Sequence, residues 1–104
     1  MSDRPFLRKL LTVVTEAALE SQLTRDLERL GARGYTISNA RGKGDRGVRE
    51  AGWEVDSNIR IDVVCDEATA RRIAAHLQER YYDNYAMILL LSDVEVMRSE
   101  KFDS

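Results

Sequence analysis

Twice along this chain the spacing of apolar residues switches from that of a strand to that of a helix and back, and no other feature narrows the possible folds as much. Phe6 to Val14 is rich in Leu and Val. Thr15 then stands where a helix N-cap belongs, followed by Glu16 at the positive end of the helix dipole. Leu19, Leu23, Leu27 and Leu30 recur at helical spacing and form one stripe, with Gly31 as a C-terminal stop, so a helix is predicted from about Glu16 to Leu30. After the turn from Gly31 to Gly34, Tyr35 to Ala40 reads as a strand. Ser57 to Cys65 reads as another, because Ile59, Ile61, Val63 and Cys65 alternate with Arg60, Asp62 and Val64.

The second half repeats the order. Asp66 is a good N-cap, and Ala70, Ile73, Ala74, Leu77 and Tyr81 keep the helical period to about Tyr82. Ala86 to Leu91 is an apolar run too short for a helix and bounded by Asp83-Asn84 and Ser92-Asp93, so it is predicted to be a strand, with Val94 and Val96 as a short extension. The result is βαβ, loop, βαβ: an α+β chain with the split βαβ order of ferredoxin-like folds, βαββαβ.

That order has a consequence for assembly. Two helices cover only one face of such a sheet, yet Leu10 and Val14 alternate with Leu11 and Val13, and Ile88 and Leu90 alternate with Met87, Leu89 and Leu91. Both faces of these strands are apolar, which predicts burial of the open face against another subunit.

Composition sets the class. At 104 residues the chain is expected to be a single domain, and 43% hydrophobic with 33% charged residues is a globular balance. No apolar run approaches the roughly 18 residues of a membrane span. The segment Met1-Ser2-Asp3-Arg4-Pro5 shows no secretory pattern, and a single cysteine, Cys65, cannot form an internal disulfide, so a cytoplasmic protein is expected. A formal charge of −2 argues against a general nucleic-acid binder.

Against that acidic background one stretch is basic. Arg41-Gly42-Lys43-Gly44-Asp45-Arg46-Gly47-Val48-Arg49 carries +3 in a chain of −2, so the remainder carries −5, and three of the six glycines lie here. Glycines admit an anion close to backbone N–H groups and guanidinium forks pair with phosphate or carboxylate oxygens, so the loop reads as an anion site. It joins the second and third strands. An acylphosphatase-like loop would lie between the first strand and first helix, where Val13-Val14-Thr15-Glu16 has no glycine.

Other chemistry is thin. Cys65 continues the inward series of its strand and reads as a structural thiol, so pairing with His76 as nucleophile and base is not expected. No spacing resembles a metal motif, and Asp56, Asp62 and Asp66 do not form an acid–base pair. The strand Ser57 to Cys65 lacks the stacking aromatics of an RNA-recognition domain. Tyr81, Tyr82 and Tyr85 cluster before the last strand, where Tyr81 belongs to the core and the other two pack at a boundary or border a ligand. Trp53, on a polar loop, suits contact with a partner or ligand.

Gly34-Tyr35-Thr36, the Lys43-Gly44-x-Arg46-x-Val48-Arg49 core and Asp56-Ser57-Asn58-Ile59 together resemble the PII-like signalling proteins, specifically the SbtB type that regulates bicarbonate transporters and the carboxysome-associated PII branch. The similarity runs from Leu10 to about Phe102. It implies one PII-like domain over 1–104, a T-loop at about 41–56, and a homotrimer whose sheets face inward. It also implies adenine nucleotides, AMP, ADP, ATP or cyclic AMP, in clefts between subunits, with no obligatory cofactor. By position, Thr36 and Val64 would lie near the adenine, and Gly42, Lys43, Gly44, Arg46 and Arg49 near phosphate. Tyr85, Ala86 and Met87 would wall the base from the neighbouring subunit, Arg98 would add a phosphate contact, and Arg46, Arg49 and Trp53 would serve a bicarbonate site on the T-loop. The implied role is a non-enzymatic sensor that meets a bicarbonate transporter from the cytoplasmic side or serves carboxysome-associated carbon concentration.

The departures narrow the expectation. Nitrogen-regulatory PII proteins carry a longer T-loop with a modifiable Tyr and a lysine before the last strand. Asp83-Asn84-Tyr85-Ala86 has no lysine, so 2-oxoglutarate sensing is not expected. Many SbtB-type proteins end in a Cys-containing extension, whereas this sequence ends Lys101-Phe102-Asp103-Ser104, so that redox switch is expected to be absent. Two other readings remain open here: a slow ATP or ADP phosphohydrolase with Asp45 as the acidic group of the loop, and an anion-binding adaptor without nucleotide.

Overall fold

A computed structural model describes residues 6–42 and 58–97. The elements are β1 (Phe6–Glu16), a 3-10 turn (Ala17–Leu19), α1 (Glu20–Arg29), β2 (Thr36–Ala40), β3 (Asn58–Cys65), α2 (Glu67–Tyr81) and β4 (Met87–Val96). The strands form one sheet in the order β2-β3-β1-β4, every neighbouring pair antiparallel. This is the ferredoxin-like arrangement predicted from the order of elements.

Antiparallel register places partner residues on the same face, so the two faces follow directly. Leu11 pairs with Val63 and Leu91, and Val13 with Ile61 and Leu89. On that face Leu11, Val13, Ile59, Ile61, Val63 and Cys65 join Leu19, Leu23, Leu27, Ala70, Ile73, Leu77 and Tyr81 in one core, none more than 2% exposed. The leucine stripe and the α2 stripe therefore close the same side of the sheet.

Both helices end as local chemistry dictates. Asp66 accepts from the Thr69 N–H at 2.8 Å, and that bond is the main reason its carboxyl lies below the ordinary range. At the C-terminus of α1, Ala32 N–H bonds to Leu27 O at 2.9 Å and Gly31 N–H to Glu28 O at 3.3 Å, with Gly31 at φ 107°. This paired-bond stop needs the left-handed backbone that glycine adopts without strain.

The start of α1 differs from the expectation. Thr15 does not cap the helix and Glu16 is not in its first turn: β1 continues through both, and α1 begins only at Glu20. The competing partner is the other end of the chain, because Thr15 pairs with Met87 in the β1–β4 ladder and its hydroxyl donates to Ala86 O at 2.7 Å. The last strand is also longer than the apolar run, since Ser92 pairs with Leu10 and Asp93 with Lys9, whose ammonium meets the Asp93 carboxylate.

Candidate functional site

The open face of the sheet holds part of the predicted site and grades from polar to apolar. Thr36 pairs with Asp62, Asp62 with Thr12 and Thr12 with Leu90, so these four form one row across the four strands. The next row runs Ser38, Arg60, Val14, Ile88. Toward β2 and β3 the side chains are polar and bonded to each other: Asp62 accepts from Thr12 Oγ1 at 2.7 Å and from Arg60 Nε at 3.0 and 3.2 Å. Toward β1 and β4 they are apolar, with Ile88 53% and Leu90 56% exposed while Leu10 and Val14 are half-buried. The expected apolar open face is present on β1 and β4, the strands from which it was read.

Thr36 is exposed at the β2 edge, and Val64, half-buried, pairs with Leu10 on the same face. Gly42 is exposed, and a Cβ built there meets nothing within 4 Å, so no contact within the described residues requires glycine at that position. Lys43, Gly44, Asp45, Arg46, Arg49, Trp53 and Arg98 lie outside the described residues.

Tyr85, Ala86 and Met87 lie at the other edge, where α2 turns into β4. Tyr85 N–H bonds to Tyr81 O at 3.0 Å, and the two rings meet edge to face with centroids 5.8 Å apart, so the Tyr85 ring packs against the core. Ala86 is held through both its backbone groups: its carbonyl accepts from Thr15 and its N–H donates to Glu16 Oε2 at 3.1 Å. Met87 packs against the core. Within one chain, then, Thr36 and Val64 are not brought together with Tyr85–Met87. Thr36 on β2 stands three strand spacings from β4, about 14 Å, and Val64 on β3 two, about 10 Å.

A second polar cluster, not anticipated from the sequence, bridges the two helices. Buried Asp26 accepts from Tyr81 Oη at 2.7 Å and Arg29 at 3.1 Å, with Arg80 at 3.5 Å and His76 Nε2 at 3.7 Å. Burial, then the bond to Asp26, pushes the Tyr81 hydroxyl up to about 12. Gln22, Arg25, Asp26, Glu28, Arg29 and Arg80 line an open cavity of about 620 Å³ beside it. The signal was present in the sequence as an acidic residue inside the leucine stripe of α1, between Leu23 and Leu30. Because its carboxylate is already met by donors from both helices, the cluster acts as a brace between them.

The thiol of Cys65 is fully buried, and burial pushes it up to about 11, which suits a structural residue and not a nucleophile. His76 faces Asp26 from the helix layer. Among the described residues no group of three or more His, Cys, Asp or Glu side chains is placed to hold a metal ion.

Comparison with known proteins bears on what this arrangement does. The family model described as nitrogen regulatory protein P-II matches residues 8–101. A Thermus thermophilus protein described as PII-like signalling is 43% identical, with 95% of this chain and 98% of that one covered and a TM-score of 0.80. CPII of Thiomonas intermedia, a nitrogen regulatory PII-like protein solved bound to ADP, AMP and bicarbonate, is 26% identical with a TM-score of 0.84, covering 99% of this chain and 100% of that one. A DUF3240-family protein from Shewanella baltica, 16% identical with a TM-score of 0.62 over 88% of this chain and 89% of its own, shares the fold.

Proposed function

Because the chain belongs to the nitrogen regulatory protein P-II family, we propose that it is a non-enzymatic signalling protein that binds AMP, ADP, ATP or cyclic AMP in clefts between the subunits of a homotrimer. One observation carries the reading: Thr36 and Val64 lie on β2 and β3 and Tyr85–Met87 at the β4 edge, an arrangement that suits a ligand held between two copies. The exposed Ile88 and Leu90 supply an apolar surface for that meeting. Thr36 and Val64 approach the adenine from one subunit while Tyr85, Ala86 and Met87 wall it from the next. Gly42, Lys43, Gly44, Arg46 and Arg49 of the T-loop at about 41–56 take the phosphates, with Arg98 adding a donor.

Bicarbonate is the second ligand, held by Arg46 and Arg49 beside Trp53. That reading is supported by the presence of ADP, AMP and bicarbonate together in the CPII structure and by the suitability of guanidinium donors for a small planar anion. Nucleotide state then sets whether the T-loop accepts a partner, and the partner is a bicarbonate transporter met from the cytoplasmic side, which places the protein in inorganic-carbon uptake.

Calorimetric titration with AMP, ADP, ATP and cyclic AMP, each with and without bicarbonate, tests the proposal. Nucleotide binding that changes when bicarbonate is present is the expected result, whereas a folded trimer that gives no heat with any nucleotide ends it. Arg46→Ala is expected to weaken ADP about tenfold or more while barely affecting adenosine, consistent with loss of a charge-assisted bond. Equal loss for both would assign the arginine to folding instead.

A further inference from the structure

The β1–β4 ladder ends with the pair Thr15 and Met87. One residue further, side chains take over from backbone: Thr15 Oγ1 donates to Ala86 O at 2.7 Å and Glu16 Oε2 accepts from Ala86 N–H at 3.1 Å. Two adjacent residues of β1 therefore engage both backbone groups of one residue in the turn before β4. Glu16 also pairs through its backbone with Asn58, the first residue of β3. A single residue thus fixes the start of β3 relative to the turn at Ala86.

Met87 is already secured by the ladder and the core, and Tyr85 by its bond and ring contact to Tyr81. Between these anchors, the two side chains set where Ala86 stands. With its N–H engaged and its carbonyl already accepting one bond, Ala86 has no backbone donor left for a ligand and offers it chiefly an apolar methyl.

We infer that Thr15 and Glu16 are positioning residues of the nucleotide site, holding Ala86 as a fixed apolar wall for the base; this rests on the nucleotide-binding reading above. Their effect falls at the base end of the ligand and is independent of its phosphates. A carboxylate-to-amide bond is charge-assisted, so its loss is expected to weaken binding about tenfold.

The test is titration of the full chain with AMP and ADP, beside Glu16→Ala, Glu16→Gln, Thr15→Val and Thr15→Ser. Glu16→Ala and Thr15→Val are expected to weaken AMP and ADP by the same factor. Glu16→Gln retains an acceptor and Thr15→Ser a hydroxyl, so each is expected to recover most of the loss. Amide exchange at Ala86, measured without nucleotide, is expected to quicken in Glu16→Ala and not in Glu16→Gln. A loss that is larger for ADP than for AMP, or equal in the alanine and glutamine variants, overturns the inference. So does unchanged affinity in folded Glu16→Ala and Thr15→Val while the wild type binds, and that result leaves the nucleotide reading standing. A wild-type chain that binds no nucleotide overturns both. If Glu16→Ala does not fold, the Thr15→Val and Thr15→Ser pair decides by the same criteria.

Discussion

The two faces of the sheet are built from the same strands and end in different states. On one, Leu11, Val13, Ile61 and Val63 are fully buried beneath α1 and α2. On the other, Ile88 and Leu90 remain more than half exposed, and the polar cluster of Arg60, Asp62 and Thr12 borders them. The difference separates two tasks. The closed face holds the core of the single chain, whereas the open face is left uncovered by the described residues and is the surface the proposed trimer would use.

The largest expected effect lies on the closed face. Leu77→Ala removes a fully buried side chain from between helix and sheet, and a loss of about 2–5 kcal/mol in denaturant unfolding is expected. A loss below about 1 kcal/mol would mean that the helices do not close that face tightly. On the open face, Leu90→Arg is expected to change stability of the isolated chain by about 0.5 kcal/mol or less, as for exposed positions generally, while converting the proposed trimer to monomer in sedimentation. An unchanged sedimentation coefficient would break the comparison, because the open face would then not be the subunit contact.

The smallest effect concerns the brace between the helices. Neutral Tyr81 donates to Asp26, and its hydroxyl is held up to about 12 against an ordinary 10. The unfolded chain therefore releases this proton first as pH rises. The contribution is fully present below pH 10 and is lost as pH climbs toward 12. Thermal melting followed from pH 8 to pH 12 should show a declining midpoint. Cys65, raised to about 11, adds to the same decline. Tyr81→Phe is expected to cost about 1 kcal/mol at neutral pH and to flatten part of the alkaline fall. An identical fall in the variant would assign it wholly to other groups.

Much of this architecture was legible because its signals are local. The stripe of Leu19, Leu23, Leu27 and Leu30, the N-cap at Asp66 and the stop at Gly31 each depend on a few neighbouring residues; the cap and the stop stand where expected, and of the stripe Leu23 and Leu27 lie in α1 while Leu19 sits in the 3-10 turn and Leu30 at the C-cap. The failure at Thr15 and Glu16 is instructive for the opposite reason. Locally they look like a cap and a first turn, but the backbone of Ala86, some seventy positions away, takes both side chains. No window along the sequence contains that partner. Asp26 is a similar case: its place in an apolar stripe was visible, but its donors Arg80 and Tyr81, and the neighbouring His76, come from the other helix.

The candidate site divides along the same line. Residue type and spacing alone marked the basic glycine-rich loop, the tyrosine cluster before β4 and the apolar alternation of β1 and β4, because charge and hydrophobic period belong to the chain before it folds, whereas Thr36, Val64, Ala86 and Met87 were marked only by the family resemblance. Only the tertiary structure decided that Thr36 and Val64 stand across the sheet from Tyr85–Met87, and that Ala86 is held by Thr15 and Glu16. Strand order and register come from pairings between distant segments, and those pairings determine which residues can reach a common ligand.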